Sequence, residues 1–132
     1  MIQQRKKDYL QRLIEDFFVK LQQFQQDGDN PDEGKKIVND CLAFFQTHLN
    51  TLQSDSSAIL IQKIENPDLL EQYARILLKK YEIVDIKETD QLHVALDIVE
   101  NLEISDNTYS WNRNILKEDL LRLLDQNNDP HP

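Results

Sequence analysis

Apolar side chains follow a helical period along almost the whole chain. In the first 26 residues they recur at spacings of three and four, and polar residues fill the positions between them. The apolar set there is Leu10, Leu13, Ile14, Phe17, Phe18, Leu21 and Phe24. This pattern predicts an amphipathic helix over residues 3–26, and its apolar stripe requires a partner surface.

Polar breaks divide the remaining chain into further helices. Asn30-Pro31 and Asn66-Pro67 each join a capping side chain to a proline suited to the first helical position, so each predicts a helix start. Residues 54–57 and 88–90 predict two more starts. The apolar run at residues 58–64 would also suit a buried strand, but no partner strand is evident elsewhere in the sequence.

The sequence therefore predicts an all-α fold. We expect about six amphipathic helices in antiparallel hairpins, arranged either as a bundle or as a tetratricopeptide-like stack. Residues 1–128 are expected to form a single α-helical domain, and residues 129–132 a disordered tail. The last helix carries the apolar residues Ile115, Leu116, Leu120, Leu121, Leu123 and Leu124.

Two parts of the chain repeat one another weakly. The Asn-Pro-Asp starts at Asn30 and Asn66 are 36 residues apart, and a shift of 35 aligns residues 59–66 with 94–101. This period is similar to that of tetratricopeptide repeats, in which neighbouring helix pairs bury a shared core. The small residues which that family uses at helix contacts are missing from the expected places. Chance repetition of a common helix start therefore explains the pattern equally well.

The segment from Asp8 to Phe17, with the sequence DYLQRLIEDF, resembles the opening of a family of small bacterial helical proteins. Members of that family begin with a DY(I/L)xRLIE-like stretch, and their function is not established. The resemblance covers about ten residues, and it implies a bacterial source and a helical fold. The same residues are also explained as the start of an amphipathic helix.

Charge is distributed unevenly along an acidic chain. The sequence has 15 basic and 24 acidic residues, a net charge of -9. Residues 1–26 carry five basic and three acidic side chains, whereas the rest carries ten basic and 21 acidic side chains. Nucleic-acid binding needs clustered Lys and Arg, so this composition excludes it. Neutral or basic partners suit the acidic portion better.

Composition also limits the cellular setting and the chemistry. Cys41 is the single cysteine, so an intrachain disulfide is excluded and a reducing compartment is favoured. No apolar run is long enough to span a bilayer, and no secretory signal is evident. We therefore expect a cytoplasmic protein without membrane association. With only two glycines, the chain lacks the glycine-rich loops that bind nucleotides, and we expect no cofactor.

One helix ridge carries ligand-type residues at helical spacing. It comprises Asp90, His93, Asp97 and Glu100. Metal sites in helical bundles need inward ligands from facing helices. Here Leu92, Leu96 and Val99 mark the inward side, so we interpret the ridge as a solvated face rather than a metal or acid–base site.

The one cysteine is not expected to be a nucleophile. Cys41 lies on an apolar stripe, where a thiol is usually an inert small hydrophobe. His48 is two turns along the same helix, about 10 Å away, which is too far for a Cys–His pair. We assign no catalytic, cofactor-binding or metal-binding residue.

An acidic run from residue 82 to residue 112 holds eight carboxylates and one base, Lys87. Such a run is usually solvated, but it also suits docking of a basic segment. The candidate partner-binding residues are Asp97, Glu100, Glu103, Tyr109 and Trp111. A lone Trp fills a gap between helices more often than it anchors a partner, so we expect Trp111 to be packed.

These features favour a non-enzymatic helical protein-interaction module with an acidic face. One alternative is a small enzyme or ligand carrier with an interhelical pocket. The polar groups of such a pocket would come from Tyr73, Tyr81, Cys41 or His48. Another alternative is a structural homodimer that pairs through the first helix.

Overall fold

The computed structural model describes residues 2–27, 31–84, 87–106 and 110–127. These residues contain six helices and no strand, which confirms the all-α prediction. The helices are α1 (Ile2–Asp27), α2 (Pro31–Leu49), α3 (Ser57–Lys63), α4 (Pro67–Ile83), α5 (Asp90–Ser105) and α6 (Trp111–Asn127). The strand alternative for residues 58–64 is wrong, because α3 covers most of this run. Gly28, Asn30, Tyr109 and the expected tail at 129–132 lie outside the described residues.

Helix starts follow the capping signals of the sequence. Asn66 is the N-cap of α4, and its Oδ1 accepts hydrogen bonds from the backbone N–H of Asp68 and of Leu69, at 2.9 and 3.1 Å. Pro67 occupies the first turn, where a missing N–H costs nothing. Ser56 caps α3 in the same way through its Oγ, which accepts the Ile59 N–H.

The contacts of the chain cluster into two compact units, residues 1–54 and 55–132. In the first unit α1 packs against α2. The buried apolar residues are Ile14 from α1 and Ile37, Val38, Cys41, Leu42 and Phe45 from α2. Helix α2 ends where Asn50 takes the left-handed backbone conformation, with φ of 60°, which Asn tolerates better than most residues. A single domain over residues 1–128 stays a prediction.

Helix α5 is central to the second unit. It packs against α3, α4 and α6, and α4 also contacts α6. Its buried residues are Leu92, Ala95, Ile98, Val99 and Leu102, each almost fully removed from solvent. Because these residues recur every three or four positions over a broad arc, one helix can contact three neighbours.

Helix α6 corrects two expectations about the C-terminal part. It begins at Trp111, within a stretch of mostly polar residues, and Trp111 is 68% exposed. The expectation that Trp111 fills a gap between helices is therefore wrong. Ile115 and Leu121, members of the predicted apolar set, are also exposed, whereas Leu116, Leu120 and Leu124 are buried. The apolar residues of α6 lie on more than one face, so periodicity alone does not identify the inner one.

Among the described residues, no helix is both long enough and apolar enough to cross a bilayer.

The Asn66 cap provides a test of how α4 is anchored. Asn66→Ala removes the acceptor of two backbone N–H groups and should lower the free energy of unfolding by about 1 kcal/mol. Thr89, which precedes α5, makes no capping bond through its side chain, so Thr89→Ala should have little effect. Urea denaturation followed by circular dichroism measures both, and equal losses would contradict the assignment.

Candidate functional site

Two ion pairs fix how α5 and α6 lie against each other. Glu103 on α5 accepts from Lys117 on α6 at 2.8 Å, and Asp106, just after α5, pairs with Arg113 of α6 at 3.1 Å. From Glu103 to Asp106 the residue number rises, whereas that of the partner on α6 falls from Lys117 to Arg113. The two helices are therefore antiparallel, with Glu103 and Lys117 facing each other.

This register places the exposed apolar residues of both helices on one side. At 100° per residue, Ile104 lies about 100° around α5 from the facing residue Glu103, and Trp111 lies about 120° around α6 from Lys117. Because the helices are antiparallel, both rotations carry the side chains to the same side of the pair. Leu121 and Glu100 are displaced in the same direction by about 40° and 60°.

We call this surface the outer face of the α5–α6 pair. It consists of Asp97, Glu100, Ile104, Trp111 and Leu121, all of them exposed. Ile104 is 82% exposed, which is extreme for an isoleucine in a packed helix pair. The face lies away from the buried residues of α5, and the Glu103–Lys117 ion pair lies along its centre.

A buried charge network holds the start of α6. Arg113, only 5% exposed, donates from Nε to Glu71 of α4 at 2.8 Å and from a terminal nitrogen to Asp106. Burial alone lowers the pKa of Arg113, but the hydrogen bonds to Asp106 and Glu71 outweigh it and leave the pKa above its usual value. Ser110 Oγ accepts the Arg113 backbone N–H and so caps α6.

The acidic run is partly neutralised by bases from outside it. Lys79 pairs with Glu82, Arg113 with Asp106, and Lys117 with Glu103. The Glu103 hydrogen bond raises the pKa of Lys117 above its ordinary value, and burial opposes this rise. Lys87 instead donates to the carbonyl oxygens of Tyr81 and Glu82 at the end of α4.

On α5, the exposed carboxylates of Asp90, Asp97 and Glu100 form no ion pair within the described residues. The helix contains no Lys or Arg, and its last turn has no basic residue to offset the carbonyl dipoles. Asp97 accepts a hydrogen bond from Ser57 of α3 at 3.3 Å, which leaves its charge in place. Glu100 forms no ion pair within the described part of the chain, and it lies one turn from Ile104.

The predicted ridge of ligand-type residues faces solvent. Asp90, His93, Asp97 and Glu100 are all exposed, which confirms the interpretation as a solvated face. Among residues 2–27, 31–84, 87–106 and 110–127, no three His, Cys, Asp or Glu side chains are placed to hold a metal ion.

The Cys41 thiol in the first unit is buried and un-ionised at neutral pH. Burial raises the pKa of Cys41 to about 12, and the adjacent Asp40 carboxylate adds to the increase. His48 instead contacts the Phe44 ring, with ring centroids 4.4 Å apart. A depression on α1 is lined by Asp8, Gln11, Arg12 and Glu15. The described residues that line it all belong to one helix, whereas a catalytic pocket is usually closed by groups from several elements.

Comparison with known proteins adds no family. The chain matches no protein-family model, no curated protein and no solved structure. The site can therefore be argued only from its own residues.

Of the five partner-binding candidates, the structure brings four to the α5–α6 pair. Asp97, Glu100 and Trp111 lie on its outer face, Glu103 lies in the ion pair at its centre, and Tyr109 is outside the described residues. Sequence reasoning missed Ile104. The sequence contains a signal for its exposure, because Ile104 lies four residues after Glu100 and eleven after His93, and therefore on the same helical stripe.

Replacing Arg113 should distinguish the buried network from the surface pair. Arg113→Met removes the hydrogen bonds that the Glu71 and Asp106 carboxylates accept from the buried guanidinium and should cost about 3 kcal/mol of unfolding free energy. Lys117→Met breaks an ion pair whose members are both about one third exposed, and should cost less than about 1 kcal/mol. Equal losses in urea denaturation would show that the Arg113 network is not a buried anchor.

Cys41 should react with thiol reagents only after unfolding. With a pKa of about 12, the thiolate fraction at pH 8 is on the order of one in ten thousand, and burial also restricts access. Native protein should therefore react over hours with dithionitrobenzoate, and protein in 8 M urea (a chosen condition, roughly saturating for unfolding) within minutes. Rapid labelling of native protein would contradict the buried placement.

Proposed function

We propose that the protein is a non-enzymatic protein-interaction module that binds partners through the outer face of the α5–α6 pair. The observation that carries the proposal is the exposure of Ile104 and Trp111 on one side of two packed helices. Large apolar side chains grouped on a surface and bordered by charge are typical of binding sites, and Trp is a frequent energetic anchor of such sites.

The ion pair between Asp106 and Arg113 supports the same function. Ile104 lies two residues before Asp106, and Trp111 lies two residues before Arg113, so this ion pair joins the two segments that carry the exposed side chains. A preorganised surface loses less conformational entropy on binding than a mobile one. The Glu71–Arg113 bond extends this support to α4.

The enzyme or ligand-carrier alternative has less support. Tyr73, Tyr81 and Cys41 are buried among apolar residues, and the Cys41 thiol is un-ionised at neutral pH. A nucleophile or general base needs access to substrate and a suitable pKa. These residues are better explained as core.

Self-association through the first helix is the second candidate function. Tyr9 and Val19 are exposed on α1, about 80° apart around the helix and roughly 15 Å apart along it. A homodimer would cover them. A monomeric mass in light scattering at micromolar concentration would exclude this alternative.

A repeat origin and a cytoplasmic location are part of the proposal. Pro31 and Pro67 are similar to the proline that closes tetratricopeptide repeats, and each stands at the first position of a helix. The second helices of the two units differ, since α3 has seven residues and α5 has 16. The cytoplasmic location rests on the single, unoxidised cysteine.

Serine substitutions of exposed apolar residues test the binding surface. In affinity purification from the native organism, the Ile104→Ser and Trp111→Ser variants should no longer retain specific partners. Ile59→Ser makes the same change at an exposed isoleucine of α3 and should retain those partners. All three variants should keep wild-type stability within about 0.5 kcal/mol, because the side chains are exposed. Partners retained by every variant would contradict the assignment of the surface.

A further inference from the structure

We infer that the occupant of the outer face is a basic amphipathic helix of another protein. The inference rests on the proposed function and adds the chemistry and length of the partner. The face combines exposed apolar side chains with carboxylates that have no ion-pair partner within the described residues, and each feature restricts what can dock there.

The apolar residues define a short, linear contact. Trp111 and Leu121 are ten residues apart on α6, so they lie about 15 Å apart, or nearly three helical turns, with Asn114 and the exposed Glu118 between them on the same stripe. Ile104 lies beside this stripe on α5. A helix that lays apolar residues at i, i+3/i+4 and i+7 along two packed helices matches this length. An extended strand has no sheet edge to join among the described residues.

The charges select a basic partner. Glu100 lies one turn from Ile104 and Asp97 two turns, within about 10 Å along α5. The helix supplies no cation of its own. Lys117 is held by Glu103, with a smaller influence from Glu100, and Arg113 is held by Asp106 and Glu71. The exposed Arg122 beside Leu121 is paired with Asp119. Lys or Arg side chains flanking the apolar stripe of a partner would therefore meet unpaired carboxylates.

The same charges disfavour two other occupants. A second copy docked face to face would bring Asp97 and Glu100 against their own counterparts, in a chain of net charge -9. An anionic membrane surface would be repelled by these carboxylates, although Trp and Ile side chains suit an interface. A basic segment meets neither obstacle.

Trp111 makes the inference directly measurable, because it is the single tryptophan of the chain and lies on the face itself. The probe is a synthetic helical peptide of about four turns with a leucine stripe and flanking lysines. Two matched peptides keep the leucines and replace every lysine with glutamine or glutamate. Titration of the lysine peptide should shift Trp111 emission to the blue, and the affinity should fall as salt is raised.

Two charge-reversal variants locate the effect. Glu100→Lys should weaken binding of the lysine peptide about ten-fold, because it adds a like charge beside the contact. Glu65→Lys makes the same charge change at an exposed glutamate between α3 and α4 and should leave the affinity within about two-fold. Equal weakening by the two variants would overturn the inference, because net charge alone would then explain binding.

The remaining outcomes separate this inference from the proposed function. Equal affinity for the lysine and glutamine peptides, lost with Ile104→Ser, would keep the docking surface and overturn charge selection. A blue shift caused by concentrating the protein alone would identify a second copy as the occupant. A blue shift of Trp111 emission with phosphatidylcholine–phosphatidylglycerol vesicles, absent with the peptides, would identify a membrane as the occupant.

Failure of all three peptides to bind overturns the inference, whereas the proposed function fails only if the Ile104 and Trp111 variants retain every native partner.

Discussion

The second unit depends on the burial of one face of α5. Leu92, Ala95, Ile98, Val99 and Leu102 are in contact with three other helices, so the position of each neighbour is set by how it covers this face. Burying each of the larger side chains contributes about 1.5–3 kcal/mol, and much of this burial is shared with α4, whose own apolar face is also buried. The arc that remains uncovered is narrow, and it carries Asp97, Glu100 and Ile104.

Polar interactions then determine which charges remain unpaired on this arc. The buried Arg113 joins α4 to the start of α6, and the Glu103–Lys117 pair aligns α6 with α5. These bonds pair two of the eight carboxylates of the acidic run, Glu103 and Asp106, with cations from α6. The result is a surface with few unpaired carboxylates beside exposed apolar groups, rather than a uniformly acidic face.

Local signals in the sequence predicted the helices well, and long-range geometry limited the prediction of the site. The Asn66 cap and the apolar period of α5 are properties of neighbouring residues, so the helix start and the solvated ridge follow from the sequence. The pairing of Glu103 with Lys117 depends on the register between two helices, which no single segment encodes. Trp111 was expected to be packed because a lone Trp most often fills a gap between helices, whereas it lies at the start of α6 and is exposed.

The division of α5 into a covered face and an open ridge also bears on how the protein can evolve. Substitutions on the covered face disturb packing against three helices and so cost stability. Glu100 and Ile104 are exposed, and a change at either position should cost almost none. Under the proposed function, recognition through this ridge can therefore change while the fold stays the same.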